Sequence, residues 1–241
     1  MKRQRSNQEQ ETSGWKFFGQ LVVLFIVVFG ATLALTNFVV SKDRVTGTSM
    51  QPGLQDGDQL FSMRHRTPKR NDIVVVYAPD QANEKYMTAH DATQADEQVK
   101  NGKLYVKGQE VPLKDHELYI KRVIGLAGDT VASRNEKLYV NGKEVPQKYL
   151  SAKFSRQEIN AYAKQYNIDE MTASTIKFTN DFSLQDLKST HRKTVPKDSY
   201  FVMGDNRFVS HDGRAFGFLK RKNIQSVVFW RFWPISKMKF Y

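Results

Sequence analysis

The sequence predicts a mainly β domain carried by a single N-terminal transmembrane helix. Three observations point there: an uncharged, largely apolar run over residues 17–41, a series of short β-branched runs closed by Gly or Pro beyond it, and an Asn-Gly pair set between two strand-like segments. At 241 residues the chain can hold one medium domain plus an appendage.

The span comes first. Leu21 to Phe29 is continuously apolar. As a helix, residues 17–41 reach roughly 37 Å, enough to cross a hydrocarbon core of about 30 Å. Trp15 and Lys16 stand at one edge, and Lys42, Asp43 and Arg44 at the other, as interfacial anchors would. A cleavable secretory signal has a shorter apolar region followed by a small-x-small site, and Thr36–Val40 offers no clean one. Lys2, Arg3, Arg5 and Lys16 against Lys42 and Arg44 bias the amino terminus towards the cytoplasm. The expected organisation is a cytoplasmic tail (1–16), a transmembrane helix (17–41) and an extracytoplasmic domain (42–241), in a single-pass protein of the cell membrane.

Composition narrows the function classes. The net charge of +12 lies mostly beyond the span, where an anionic lipid surface suits it. Nucleic acid is not expected as a partner, since no zinc finger, RNP motif or basic helix with regular aromatics appears. The absence of cysteine excludes a disulfide scaffold, a Cys protease, a thiol redox centre and Cys-ligated zinc. Five histidines without an H-E-x-x-H pair give a metalloprotease little support. No metal or cofactor is expected.

Past residue 44 the local signals are strand and turn. Residues 72–77 form a buried strand closed by Ala78-Pro79, and 118–124 form another stopped by Gly125 and Gly128. Residues 137–145 place Asn141-Gly142 at the tip of a hairpin. Runs 199–203 and 226–232 complete the strands, and 156–166 is the one clear soluble helix. Lys103–Pro112 closely repeats Lys137–Pro146, two copies being too few for a solenoid, so two similar β-ribbons are expected. Between Pro79 and Lys103 the chain is polar and aperiodic, an exposed loop or inserted flap within residues 80–117.

Three stretches carry candidate chemistry: Gly47-Thr48-Ser49-Met50-Gln51-Pro52, Tyr119 to Asp129, and Gly204 to Arg214. Ser49 alone is an ordinary turn residue. Alternation puts Lys121 on the strand face of Tyr119 and Val123. It either snorkels to water or lies buried, where its lowered pKa would let the neutral amine take a serine proton. Ser210, Asp212 and Arg214 offer hydrogen-bonding groups on a turn, Asp212 and Arg214 being spaced to pair. His211-Asp212 invites a Ser/His/Asp triad, but adjacent residues of an extended segment point to opposite sides.

In this order the three stretches, with the span, the Asn-Gly hairpin and the terminal Phe232-Trp233-Pro234, resemble the type I signal peptidase family. These are membrane-bound serine proteases with a Ser/Lys dyad, and the single span and modest length look most like Gram-positive bacterial members. The resemblance implies a signal-peptidase-like core of antiparallel β-sheets with an apolar surface beside the bilayer. It implies a monomer that removes signal peptides from exported preproteins, accepting small residues at the first and third positions before the cut. Ser49 falls on the nucleophile and Lys121 on the general base. Ser210 matches the serine that hydrogen-bonds and orients that lysine, and Asp212 and Arg214 match the acidic and basic supports. The backbone N–H of Ser49 would serve the oxyanion hole.

This sequence departs from the family pattern at Gly47, where some members carry a second hydroxyl donor, and at Gly213, which replaces a usual serine. Ala127 stands where Pro is common, and 80–117 is longer than expected. Ser49 follows the uncharged segment by eight residues, which span no more than about 29 Å. Two rival readings are a catalytically silent assembly chaperone, which should lack the serine or the lysine, and a membrane-tethered binding module.

Overall fold

A computed structural model describes residues 2–34 and 38–241. Met1, in the expected tail, and residues 35–37, in the expected span, lie outside the described residues. The chain divides into two compact units, Met1–Ser41 and Lys42–Tyr241.

The first unit is dominated by helix α1 (Lys2–Ala34). Its segment Trp15–Leu33 has a mean hydropathy of 2.0 and is long and apolar enough to cross a membrane. The side chains from Trp15 to Leu33 are all exposed. A helix apolar on every face has no stripe to bury against a protein core, which suits a lipid environment.

The second unit begins with strands β1 (Val40–Arg44, entering from the first unit), β2 (Gln59–Met63) and β3 (Ile73–Ala82), then a short helix α2 (Glu84–Ala89). Strands β4 (Glu97–Lys100), β5 (Lys103–Val106), β6 (Gln109–Glu110) and β7 (His116–Gly125) follow. Next come β8 (Val131–Arg134), β9 (Lys137–Val140), β10 (Lys143–Glu144), and helices α3 (Ala152–Gln165) and α4 (Glu170–Thr175). The chain ends with β11 (Phe182–Ser183), β12 (Ser199–Met203), α5 (Gly213–Phe216), β13 (Leu219–Lys220), β14 (Ile224–Trp233) and β15 (Lys239–Phe240).

Among the described residues, the principal sheet runs β1-β2-β14-β3-β7-β12-β13, with β15 also paired to β14. The pairs whose register is given are antiparallel. Strands β3 and β7 are interior, and Ile73–Val76 and Lys121–Gly125 are buried without a break. The pleat divides β3 between two cores. Ile73 and Val75 join Met50, Leu54, Leu60 and Val228 on one face, while Val74 and Val76 join Val123, Val202 and Val227 on the other. Each such fully buried side chain contributes about 1.5–3 kcal/mol.

A second sheet, β10-β9-β8-β11, buries Val131, Leu138 and Val140 against Ile124, Leu184 and Phe201. The third, β4-β5-β6, contains the expected ribbon of residues 103–112 as β5 and β6 and adds to it β4, drawn from the polar stretch after Pro79. Strand β3 continues to Ala82, and Ala82, Leu104, Val106 and Val111 make a small core of their own. Pro79 does not end the strand. It has no N–H for the ladder, and the β3–β7 register skips from Tyr77–Leu118 to Ala82–His116 around it.

The repeated sequence produces repeated structure. The turn residues Lys107-Gly108 and Asn141-Gly142 have φ of 49° and 81°, and of 53° and 76°, as a two-residue hairpin turn with both positions left-handed requires. Cross-strand pairs Lys103–Glu110 (2.7 Å) and Lys137–Glu144 (3.0 Å) occupy the same place in each ribbon. The soluble helix starts four residues before the expected 156, where the Ser151 hydroxyl accepts the Phe154 N–H at 3.2 Å and caps it.

Candidate active site

Ser49 sits on the turn after β1. Gly47 has φ +79° with nothing within 4 Å of a Cβ, so the left-handed backbone, and not crowding, calls for glycine there. Its N–H donates to Asp56 Oδ1 at 2.9 Å, and Gln51 N–H donates to Thr48 O at 3.0 Å. Met50, fully buried in the core under the sheet, pins the turn from below.

Lys121 lies on β7, opposite Val74 of β3. Its Nζ is 3.1 Å from Ser49 Oγ and 5.1 Å from the centre of the Tyr119 ring. The residue is only 4% exposed, so its head does not snorkel to water. Burial pulls the amine from 10.5 down to about 8. The Asp212 charge opposes that shift, Arg214 adds to it, and Asp205 opposes it again.

The loop Gly204–Asp212 and helix α5 complete the site. Asp212 is fully buried, caps α5 and accepts the Gly204 N–H at 2.9 Å. Arg214 grips it with two parallel bonds, Nε to Oδ1 and Nη2 to Oδ2, both 2.9 Å. Burial opposes ionisation of Asp212, but the Arg214 bonds and charge together with the backbone N–H donors outweigh it and hold the carboxyl below its usual range. At Gly213 a Cβ would lie 2.8 Å from Val202 O and 2.9 Å from the Phe201 ring, so this packing has no room for the serine usual in the family.

Ser210 behaves differently from the expectation. Its Oγ is buried and has no hydrogen-bond partner, so the bond to Lys121 is not formed. The hydroxyl is folded onto Gly204, where a Cβ would stand 2.2 Å from it. His211 and Asp212 diverge as alternation requires: His211 Nε2 meets Asp80 Oδ2 at 2.7 Å, while Asp212 turns to Arg214. A Ser/His/Asp arrangement is not assembled.

Ser49 and Lys121 open into a cavity of about 270 Å³ bounded by Thr46, Ile120, Val209 and His211. Among the described residues there is no group of His, Asp and Glu able to hold a metal ion. Sequence reasoning missed the second layer. Arg122 binds Asp205 through two bonds of 2.7 and 2.6 Å, its guanidinium lies 4.1 Å from the Tyr149 ring centre, and Arg207 Nη2 donates to the Tyr149 hydroxyl at 2.7 Å. Arg122 and Asp205 stood inside the singled-out stretches, and their opposite charges, one within an apolar strand and one just past another, were the available signal. Tyr149 had none.

A family model described as signal peptidase, peptidase S26, matches residues 18–233. The chain is 32% identical over 200 residues to signal peptidase I V of Bacillus subtilis, covering 81% of this chain and 88% of that one. To signal peptidase IB of Staphylococcus aureus it is 29% identical over 226 residues, covering 91% and 90%. A crystal structure of a signal peptidase I from Enterococcus faecalis is 28% identical, covers 67% of this chain and 97% of that chain, and has a TM-score of 0.41.

Proposed function

The chain belongs to the signal peptidase, peptidase S26, family, and from that membership we propose that Ser49 is its nucleophile and Lys121 its general base. It is a serine endopeptidase that removes signal peptides from preproteins. The observation that carries the residue assignment is the 3.1 Å approach of a buried, deprotonatable lysine to a serine hydroxyl at the floor of a cavity.

The chemistry follows from the geometry. Neutral Lys121 takes the Ser49 proton as Oγ bonds to the scissile carbonyl carbon. Negative charge on the carbonyl oxygen is met by the Ser49 N–H. As the C–N bond breaks, the Lys121 ammonium returns the proton to the leaving amine, and the acyl chain remains on Ser49. Water, deprotonated by the same amine, then releases it. Asp212 and Arg214 set the charge around Lys121, while for Ser210, whose Oγ makes no bond to the amine here, an orienting role rests on family membership alone. The cavity is small, which fits small side chains before the cut.

The placement is a single-pass one with residues 1–16 in the cytoplasm, 17–41 in the bilayer and 42–241 outside, supported by the apolar segment Trp15–Leu33 and the basic residues before it. A lipid-contacting surface on the second unit is supported by exposed Trp233, Ile235, Met238 and Phe240. The residues assigned to catalysis all come from one chain, which suits a monomer.

The test is cleavage of a preprotein carrying an Ala-x-Ala site by the detergent-solubilised full chain, beside Ser49→Ala and Lys121→Ala. Site-specific cleavage by the parent and none by either variant is expected. Cleavage by either variant would remove that residue from its role.

A further inference from the structure

Helix α3 has no part in the dyad, yet one of its faces is turned to the catalytic loop. Phe154, Glu158 and Tyr162 recur at four-residue spacing and so share a face. Phe154 packs edge-on to Phe178 with ring centres 5.9 Å apart, and Tyr162 packs edge-on to Phe208 at 4.9 Å. Phe178 and Phe208 themselves stack at 6.4 Å. Between these two aromatic contacts, Glu158 Oε2 accepts the Asn206 Nδ2–H at 2.7 Å.

Asn206 is fully buried, and its backbone N–H donates to the Ser49 carbonyl at 3.0 Å. The carboxylate on α3 thus reaches the nucleophile's own peptide through one residue. Asn206 Oδ1 is buried without a partner, so the side chain is held from one end only, by Glu158. Among the described residues, Glu158 is the hydrogen-bond partner given for that amide. A buried amide donor with no acceptor is costly, so loss of Glu158 would drive Asn206 to rearrange.

We propose that Glu158 is a positioning residue for the nucleophile: through Asn206 it fixes the Ser49 carbonyl and with it the aim of the Ser49 N–H and Oγ. This rests on the assignment of Ser49 as nucleophile. Misplacement of a reacting atom lowers turnover far more than it lowers substrate affinity.

The experiment uses the full chain with Glu158→Ala, Glu158→Gln and Ser49→Ala. Glu158→Ala should lower kcat about tenfold with KM for the preprotein within about twofold, and Glu158→Gln, whose Oε1 accepts the same N–H, should restore kcat to within about twofold. Hydrogen exchange of the Asn206 backbone amide should be faster in Glu158→Ala and normal in Glu158→Gln, a readout independent of turnover. Parent-like kcat or unchanged Asn206 protection in Glu158→Ala, or a loss that Gln does not restore, overturns the positioning role. If Ser49→Ala cleaves, the nucleophile assignment and this role fall together. Full activity of Glu158→Ala beside a dead Ser49→Ala overturns this role alone.

Discussion

Lys121 faces Val74 across the β3–β7 ladder, so the proposed base stands on an interior strand of the principal sheet and not on a loop. The strand sets the amine, 4% exposed, at the wall of the Ser49 cavity, and that burial is what lowers its proton affinity.

The pH profile of kcat/KM should therefore rise with pH through about 8 and level off above it, as the neutral amine fills. An inflection near 6.5 would assign a histidine instead. The inflection near 8 should persist in His211→Asn, whatever the rate of that variant, because His211 is paired with Asp80 and not with Ser49.

Stability should move with the same group. Its amine holds fewer protons folded than unfolded between about 8 and 10.5, so a penalty of roughly 3 kcal/mol is present in full below pH 8 and is lost as pH rises to 10.5. Lys121→Met should be inactive yet more stable than the parent in urea at pH 7, with the difference shrinking by pH 10. A variant less stable than the parent at pH 7 would show that the amine is not held at a cost.

Asp212 and Arg214 should shift the profile in opposite directions. Asp212 favours the ammonium and Arg214 disfavours it, so Asp212→Asn should move the inflection below 8 and Arg214→Met above it. Arg214→Met also strands a fully buried carboxylate and should cost about 3–5 kcal/mol by denaturant titration. Shifts of the same sign in both variants would contradict the electrostatic account.

Gly204→Ala should be severe. Its Cβ would stand 2.6 Å from the Ser49 carbonyl and 2.5 Å from Ser210 Cβ, and the first of these is backbone. Displacing the nucleophile's peptide by about 1 Å should lower kcat about a hundredfold, with stability falling about 1–3 kcal/mol. A rate within threefold of the parent would mean that the turn at Ser49 tolerates movement.

What could be inferred from the sequence was whatever local pattern encodes. The uninterrupted apolar run, the β-branched strands and the Asn141-Gly142 turn each follow from residues adjacent in the chain. The dyad became visible only through motif order, because 72 residues separate Ser49 from Lys121 and periodicity carries no information across them. In the third sheet the β5–β6 ribbon was legible from its repeat, but β4 and the small core were hidden for a related reason. Its core of Ala82, Leu104, Val106 and Val111 gathers four apolar residues from a polar stretch, too sparsely for any window to register. Ser210 shows the remaining gap: its place in the turn was plain, but the direction of its hydroxyl depends on Gly204 lacking a side chain. Glu158 was one polar residue on an amphipathic helix, and only the tertiary fold sets it against Asn206.

The burial of Lys121 also makes folding itself an activation step. In an extended chain, an ordinary lysine at pH 7 carries a neutral amine in about one molecule in three thousand, whereas a pKa of about 8 gives roughly one in ten. An unfolded chain therefore holds almost none of the neutral amine that the proposed mechanism requires. The neutral fraction rises only once the fold buries the amine, so folding by itself supplies the proposed base.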